Sequence, residues 1–128
     1  MNQQTLYFAY GSNLNRKQMK FRCPGSKYIK NYYLKGYKLC FSWNKYRRDR
    51  TGAANIEKQK DPINYMLYTV PGAIYEIKDK HRNKLRINEG YPKVYDEDSF
   101  TLDKKKVFFY IMKNFDPKRP TLEYAKKI

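Results

Sequence analysis

Residues 6 to 14 read Leu-Tyr-Phe-Ala-Tyr-Gly-Ser-Asn-Leu. An apolar, aromatic run that stops abruptly at three small residues predicts a buried strand, Leu6 to Tyr10, delivered to the lip of a sheet. Gly-Ser-Asn at that lip presents backbone N–H groups, an arrangement able to hold an anionic or carbonyl oxygen. Downstream, Asn13 is the expected cap of a short helix running through Asn15 to Phe21, and Cys23-Pro24-Gly25 ends it.

Working outward, Ser26 to Trp43 is rich in Tyr, Leu and Phe with alternating Lys, and Gly36 divides it into two strands. A basic loop follows from Asn44 to Gly52, read as a solvated loop or as a rim that guides an acidic substrate. Ala53 to Glu57 predicts a further strand and Asp61-Pro62 a turn. Tyr65 to Ile77 is a long β-favouring run that Val70-Pro71-Gly72 should interrupt, because proline removes a ladder donor. After Lys78 the pattern turns helical, with Asp79 near the start and Leu85 on the apolar face, until Asn88-Glu89-Gly90-Tyr91-Pro92 stops it. Tyr95 to Thr101 and Lys104 to Met112 read as strands about a turn at Asp103-Lys104. Pro117 to Ile128 is expected to form a terminal helix entered through Pro120-Thr121. Mixed strands with three short helices predict an α+β fold, a small mixed β-barrel or curved sheet with short helices at its rim.

The 128 residues suit one domain, 1–128, with one core. No stretch approaches the roughly 18 apolar residues of a membrane span, and polar Gln and Asn stand where a signal peptide would have a charged end and apolar core. The reading is a soluble, cytoplasmic chain with no membrane partner. Cys23 and Cys40 lack C-x-x-C spacing and the single His81 lies in a charged run, so free thiols are expected and a metal site is not. The 28 Lys and Arg against 12 Asp and Glu give a formal charge of +16, with 14 tyrosines interleaved. Such a mix could grip nucleic acid. Twenty of the 28 are lysines spread along the chain beside ten asparagines, however, the usage expected of an AT-rich genome. Nucleic acid is therefore not the expected partner, although the field would draw in acidic small molecules.

Catalytic candidates are few. The chain has no G-x-S-x-G, no Cys–His pattern, no G-x-G-x-x-G and no G-x-x-x-x-G-K. One acid in an unusual place remains: Glu89, where a helix yields to Gly90 and an aromatic turn. A carboxylate there is slightly disfavoured by the helix dipole. Tucked among Tyr91, Tyr95 and the sheet, it would titrate near neutrality and could transfer protons on a small substrate.

Tyr7 to Leu14, together with Asn88 to Tyr95, resembles the γ-glutamylcyclotransferase family in its AIG2-like, compact bacterial or phage form. Further landmarks fall in the family's order: Arg22-Cys23-Pro24-Gly25, Leu34 to Leu39, Gly52 to Ile56, Val70 to Tyr75, Leu85, and Pro120 to Tyr124. The resemblance implies a small mixed barrel with a cavity at one end. It implies that the loop containing Tyr10 to Leu14, with Tyr7, Phe8 and Ala9 leading into it, binds the γ-glutamyl group through main-chain N–H groups of Gly11, Ser12 and Asn13. Glu89 would be the general acid/base, while Tyr95 and Tyr124 would line the pocket. The implied reaction is intramolecular attack of the α-amine on its own γ-carbonyl, releasing 5-oxoproline and a free amine or amino acid without metal or organic cofactor.

Asn55 stands where the family's G-x-A-T-I strand has threonine, and Val70-Pro71-Gly72 replaces Val-Trp-Gly, so altered sheet geometry is expected at both. Family members also continue past the Tyr124 element with a helix and a Gly-rich tail, whereas this sequence ends at Ile128. The expectation is an open site taking larger γ-glutamyl amines, or a fold that has lost turnover. The alternative to an enzyme is a protein of the same fold that sequesters a small acidic or nucleotide-like ligand. The leaving amine and the oligomeric state are not legible in the sequence.

Overall fold

A computed structural model describes residues 4–47, 51–117 and 121–126. Its first strand, β1 (Gln4–Ala9), is central and explains the unbroken apolar run. It pairs with β5 (Thr69–Lys78) antiparallel on one side and with β7 (Lys105–Ile111) parallel on the other. Flanked on both edges, it also buries both faces: Tyr7 and Ala9 enter one core cluster, Phe8 and the following Tyr10 the other. A strand covered on both sides has no polar positions to alternate with. The outer strands are β2 (Lys27–Lys35) and β6 (Asp96–Leu102), giving the order β2-β5-β1-β7-β6.

Gly36 does divide two strands, and it also sends them into different sheets. β3 (Tyr37–Trp43) pairs with β4 (Ala53–Lys58) and with the short β8 (Asp116–Pro117) in a second, three-stranded sheet. The architecture is two curved sheets with short helices, α+β as expected, and it is not a closed barrel. Asn55 joins the sheets. Fully buried on β4, its amide donates to the Met112 carbonyl at 2.9 Å and accepts from the Met112 N–H at 2.9 Å, continuing the backbone pairing where β7 ends.

Four sequence expectations are corrected. The cap of α1 (Arg16–Arg22) is Asn15, whose Oδ1 accepts from the Gln18 N–H at 3.1 Å; Asn13 lies in a preceding 3-10 turn, Ser12–Leu14. Asp61-Pro62 opens a helix, α2 (Pro62–Leu67), where a turn and then a strand from Tyr65 were expected. Asp61 Oδ1 accepts from the N–H groups of Ile63 and Asn64, and proline at the first helical position outweighs the β-favouring residues after it. β5 runs through Pro71 without interruption, because β1 pairs only as far as Ala73 and at Pro71 the strand has one ladder, to Tyr33 of β2. Next to it Gly72 lets Phe8 close down: a Cβ there would stand 2.4 Å from the Phe8 ring. Finally, Pro117 belongs to β8, and the terminal helix α4 is limited to Leu122–Ala125 behind its cap Thr121; Pro120 lies outside the described residues.

The helix α3 (Asp79–Glu89) packs on this frame through His81 and Leu85 and ends at Gly90, whose φ of 65° makes the left-handed cap. Among the described residues no helix is long and apolar enough to cross a membrane, and Cys23 and Cys40 are free.

Candidate functional site

The end of β1, the start of β4, the end of β7 and the end of α3 converge on a cavity of about 620 Å³, a size that suits a small-molecule ligand. Tyr7, Tyr10, Gly11, Ser12, Asn13, Glu89, Tyr95 and Tyr124 all line it. Of the other residues singled out in the sequence, Phe8 is turned into the opposite core, Ala9 is buried beside β5, and Leu14 packs against the core from the turn.

The turn at Gly11 is short and tightly held. Leu14 N–H reaches the Gly11 carbonyl and Asn15 N–H the Ser12 carbonyl, each at 3.0 Å. The first N–H groups of such a turn have no partner within it. Asn13, almost fully buried, is the junction: its Nδ2 donates to Tyr7 Oη at 3.0 Å, and its Oδ1 accepts from Arg22 Nη1 at 3.0 Å and Gln18 Nε2 at 3.2 Å. Gln18 also donates to Ser12 Oγ at 2.7 Å. The side chains of Ser12 and Asn13 are thus spent on fixing the turn to α1.

Glu89 enters the cavity from the last residue of α3. It keeps part of its surface open to the cavity, yet protein surrounds the carboxyl densely. This desolvation pushes it from the ordinary glutamate value up to about 7, against the opposing charges of Arg22 and Arg47. Gly90 fixes the exit: a Cβ there would meet Val94 at 2.8 Å. Tyr91 stays at the surface, with the Arg86 guanidinium 4.9 Å above its ring, so it takes no part in enclosing the acid. The phenols around Glu89 are Tyr7, Tyr10, Tyr95, Tyr110 and Tyr124, and burial pushes every one above the ordinary tyrosine range. They remain neutral at physiological pH, which leaves Glu89 as the titrating group among them near neutrality.

Two of these tyrosines complete a sheet edge. β4 pairs with β3 on one side only, so the Ala54 N–H and C=O point away from the ladder. Tyr95 Oη donates to the Ala54 carbonyl at 2.6 Å, and the Ala54 N–H donates to Tyr124 Oη at 2.9 Å. Tyr10 Oη similarly donates to the Tyr110 carbonyl. The hydroxyls satisfy buried backbone and hold the wall of the cavity rigid.

Sequence reasoning missed Arg22, Tyr46, Arg47, Ala54 and Tyr110 on this wall. Arg22 is the last residue of α1 and entered the sequence reading only through the Arg22-Cys23-Pro24-Gly25 landmark. The loop after β3 carried the signal of a basic rim, and Asn44 realises it: its Nδ2 donates to the carbonyls of Lys93 and Val94, and its Oδ1 accepts from the Tyr46 N–H. That clasp brings Tyr46 and Arg47 to the turn beyond Glu89. Arg48 to Arg50 lie outside the described residues.

A carboxyl raised toward neutrality, a turn of small residues and two arginines thus line one cavity of small-molecule size. The sequence model of the family "Gamma-glutamyl cyclotransferase, AIG2-like" matches residues 7–126, and the chain belongs to that family. Among solved structures, a "Gamma-glutamyl cyclotransferase" is similar at 23% identity and a TM-score of 0.82, covering 98% of this chain and 76% of that one. The human uncharacterized protein loc79017 is similar at 26% identity and a TM-score of 0.80, over 97% and 75%. A yeast γ-glutamyl cyclotransferase specific to glutathione shares the fold at 15% identity and a TM-score of 0.59, over 99% and 78%. No curated protein matches by sequence.

Proposed function

We propose that this protein is a γ-glutamyl cyclotransferase that releases 5-oxoproline and a free amine or amino acid from a γ-glutamyl compound, with Glu89 as general acid/base. The observation that carries the reading is the meeting of Glu89, its carboxyl raised to about 7, with the Gly11–Asn13 turn in one cavity. Family membership supplies the reaction class.

In this reading the ionised Glu89 takes a proton from the α-ammonium of the substrate. The freed amine attacks the γ-carbonyl carbon, a C–N bond forms, and the carbonyl oxygen becomes an oxyanion that the Gly11, Ser12 and Asn13 amides stabilise. Glu89 then protonates the departing nitrogen and the old C–N bond breaks. The attacking nitrogen gives up two protons in all, and the departing one gains two when it leaves as an ammonium ion, so no external acid or base is consumed. A carboxyl titrating near 7 is matched to both directions of transfer. Attacking and attacked groups share one molecule, and the neutral tyrosine wall would hold the cyclising conformer. Residues of the chain suffice for this route without a metal or cofactor, and the two free thiols suit a reducing, cytoplasmic setting.

The test is release of 5-oxoproline from a panel of γ-glutamyl amines, amino acids and glutathione by the wild type and Glu89→Gln. Turnover that survives the substitution unchanged rejects Glu89 as the acid/base. Tight binding without turnover in the wild type would favour a sequestering protein instead.

A further inference from the structure

A substrate that offers its α-ammonium to Glu89 carries its α-carboxylate on the same carbon, so the carboxylate must come to rest near the acid, where it needs a cation. Besides Glu89, the charged side chains lining the cavity among the described residues are Arg22 and Arg47. Resting on the reading above, we propose that Arg22 anchors the α-carboxylate and thereby selects a γ-glutamyl unit over an acyl chain that lacks this group.

Arg22 is held for that task. It ends α1, and its Nη1 donates to Asn13 Oδ1 at 3.0 Å, while Asn13 is itself tied to Tyr7 and Gln18. The guanidinium is therefore fixed to the turn that would grip the γ-glutamyl chain. One bond to Asn13 uses one of five donors, and the remainder of the planar fork matches a carboxylate bidentately. Arg22 and Glu89 form no ion pair with each other among the described residues. They nonetheless act on each other across the cavity, since the Arg22 charge opposes the rise of the Glu89 carboxyl and of the Tyr7 and Tyr124 phenols. A group bound beside both would turn its ammonium toward Glu89 and its carboxylate toward Arg22. Arg47 is placed differently: it lies on the loop after β3 with its Nε buried, and its charge acts on Glu89, Tyr95 and Tyr124.

The experiment compares γ-glutamyl-alanine with 4-aminobutyryl-alanine, which lacks the α-carboxylate and cyclises to 2-pyrrolidinone. Alanine release is followed for the wild type, Arg22→Met, Arg22→Lys and Arg47→Met. Arg22→Met should lower kcat/KM for γ-glutamyl-alanine by about 10- to 100-fold more than for 4-aminobutyryl-alanine, which feels only the loss of the bond to Asn13, and so erase the preference, with Arg22→Lys restoring part of it. An equal fall on both substrates would mark Arg22 as merely structural, and a preference that follows Arg47 would move the anchor; either overturns the proposal. Binding of 5-oxoproline against 2-pyrrolidinone by NMR titration separates this from failure of the enzymatic reading. If no variant turns over, a carboxylate preference present in the wild type and absent from Arg22→Met still supports the anchor, and no preference in the wild type rejects it.

Discussion

Glu89 and Glu97 are near neighbours in sequence, both half-buried, and the protein drives them in opposite directions. Burial acts on both and would raise both. Around Glu97 it is outweighed: Arg86 donates from Nε and Nη2 at 2.9 Å each, Arg82 Nη2 donates at 3.2 Å and Tyr110 Oη at 2.9 Å. These bonds hold the Glu97 carboxyl down to about 2. Glu89 has no side-chain hydrogen bond among the described residues, only the more distant charges of Arg22 and Arg47, and it stands near 7. The lesson is that partial burial does not assign a role to an acid; the number and geometry of its donors do. Glu97 is a clasp between α3 and the β6–β7 hairpin, while Glu89 is left without such donors among the described residues. Tyr110 belongs to both regions, its ring on the cavity wall and its hydroxyl on Glu97.

The largest expected effect is on turnover. Glu89→Gln should cut 5-oxoproline release by roughly 10²- to 10⁴-fold, whereas Glu97→Gln should leave kcat within about threefold, because Glu97 itself does not line the cavity. Equal losses in steady-state assays of the two variants would break the contrast.

Stability should reverse the ranking. Glu97→Gln leaves two arginines facing a neutral amide and should cost about 2–4 kcal/mol at pH 7 in urea unfolding. Glu97 is depressed on folding, so its contribution is present above the ordinary glutamate value and is lost as pH falls through about 2. The deficit of the variant should close over that acid range and nowhere else.

Glu89→Gln should do the opposite. A carboxyl raised on folding weakens the protein once the unfolded chain ionises and the folded one resists. The penalty is absent below the ordinary glutamate value, grows with rising pH, and is complete above about 7. The variant should therefore be more stable than the wild type at pH 8, by about 1–2 kcal/mol after allowance for solvent in the cavity, and equal to it near pH 4. Melting curves at the two pH values check the sign, and a variant less stable at pH 8 would show that the wild-type carboxyl is not strained by burial.

The smallest effect belongs to the residue shared by both regions. Tyr110→Phe removes one of four bonds to Glu97 and should cost about 1 kcal/mol, with the Glu97 titration moving upward in carboxyl NMR.

What could be read before the fold was known follows from local chemistry. Leu6 to Tyr10 is apolar at every position and could only be a strand covered on both faces. Asp103-Lys104 sits in the positive-φ geometry of a hairpin turn, φ 49° and 66°, as placed from the sequence. Gly90 ends α3 where Glu89 was singled out. The errors are of another kind. Asn13 and Asn15 are both competent caps, and what separates them is that Asn13 is buried by contacts with Tyr7 and Arg22. Pro71 breaks a strand only where both edges are paired, and the end of β1 decides that. Asn55 looked like a departure in a strand that wants threonine; its amide turns out to imitate a backbone pair with Met112, a partner 57 residues away.

Beyond the two segments that the family resemblance paired, Tyr7 to Leu14 and Asn88 to Tyr95, the sequence by itself determined the strands and helices that depend on apolar runs, caps and glycine geometry, and the α+β class. Those are interactions between residues close in the chain. Only the tertiary structure decided that the two segments share a cavity with Arg22 and Arg47, that Gly36 divides two sheets rather than one, and that Glu89 is strained while Glu97 is satisfied. Each of these depends on desolvation and on donors supplied from remote strands and helices, and electrostatics of that kind has no local trace for a sequence to carry.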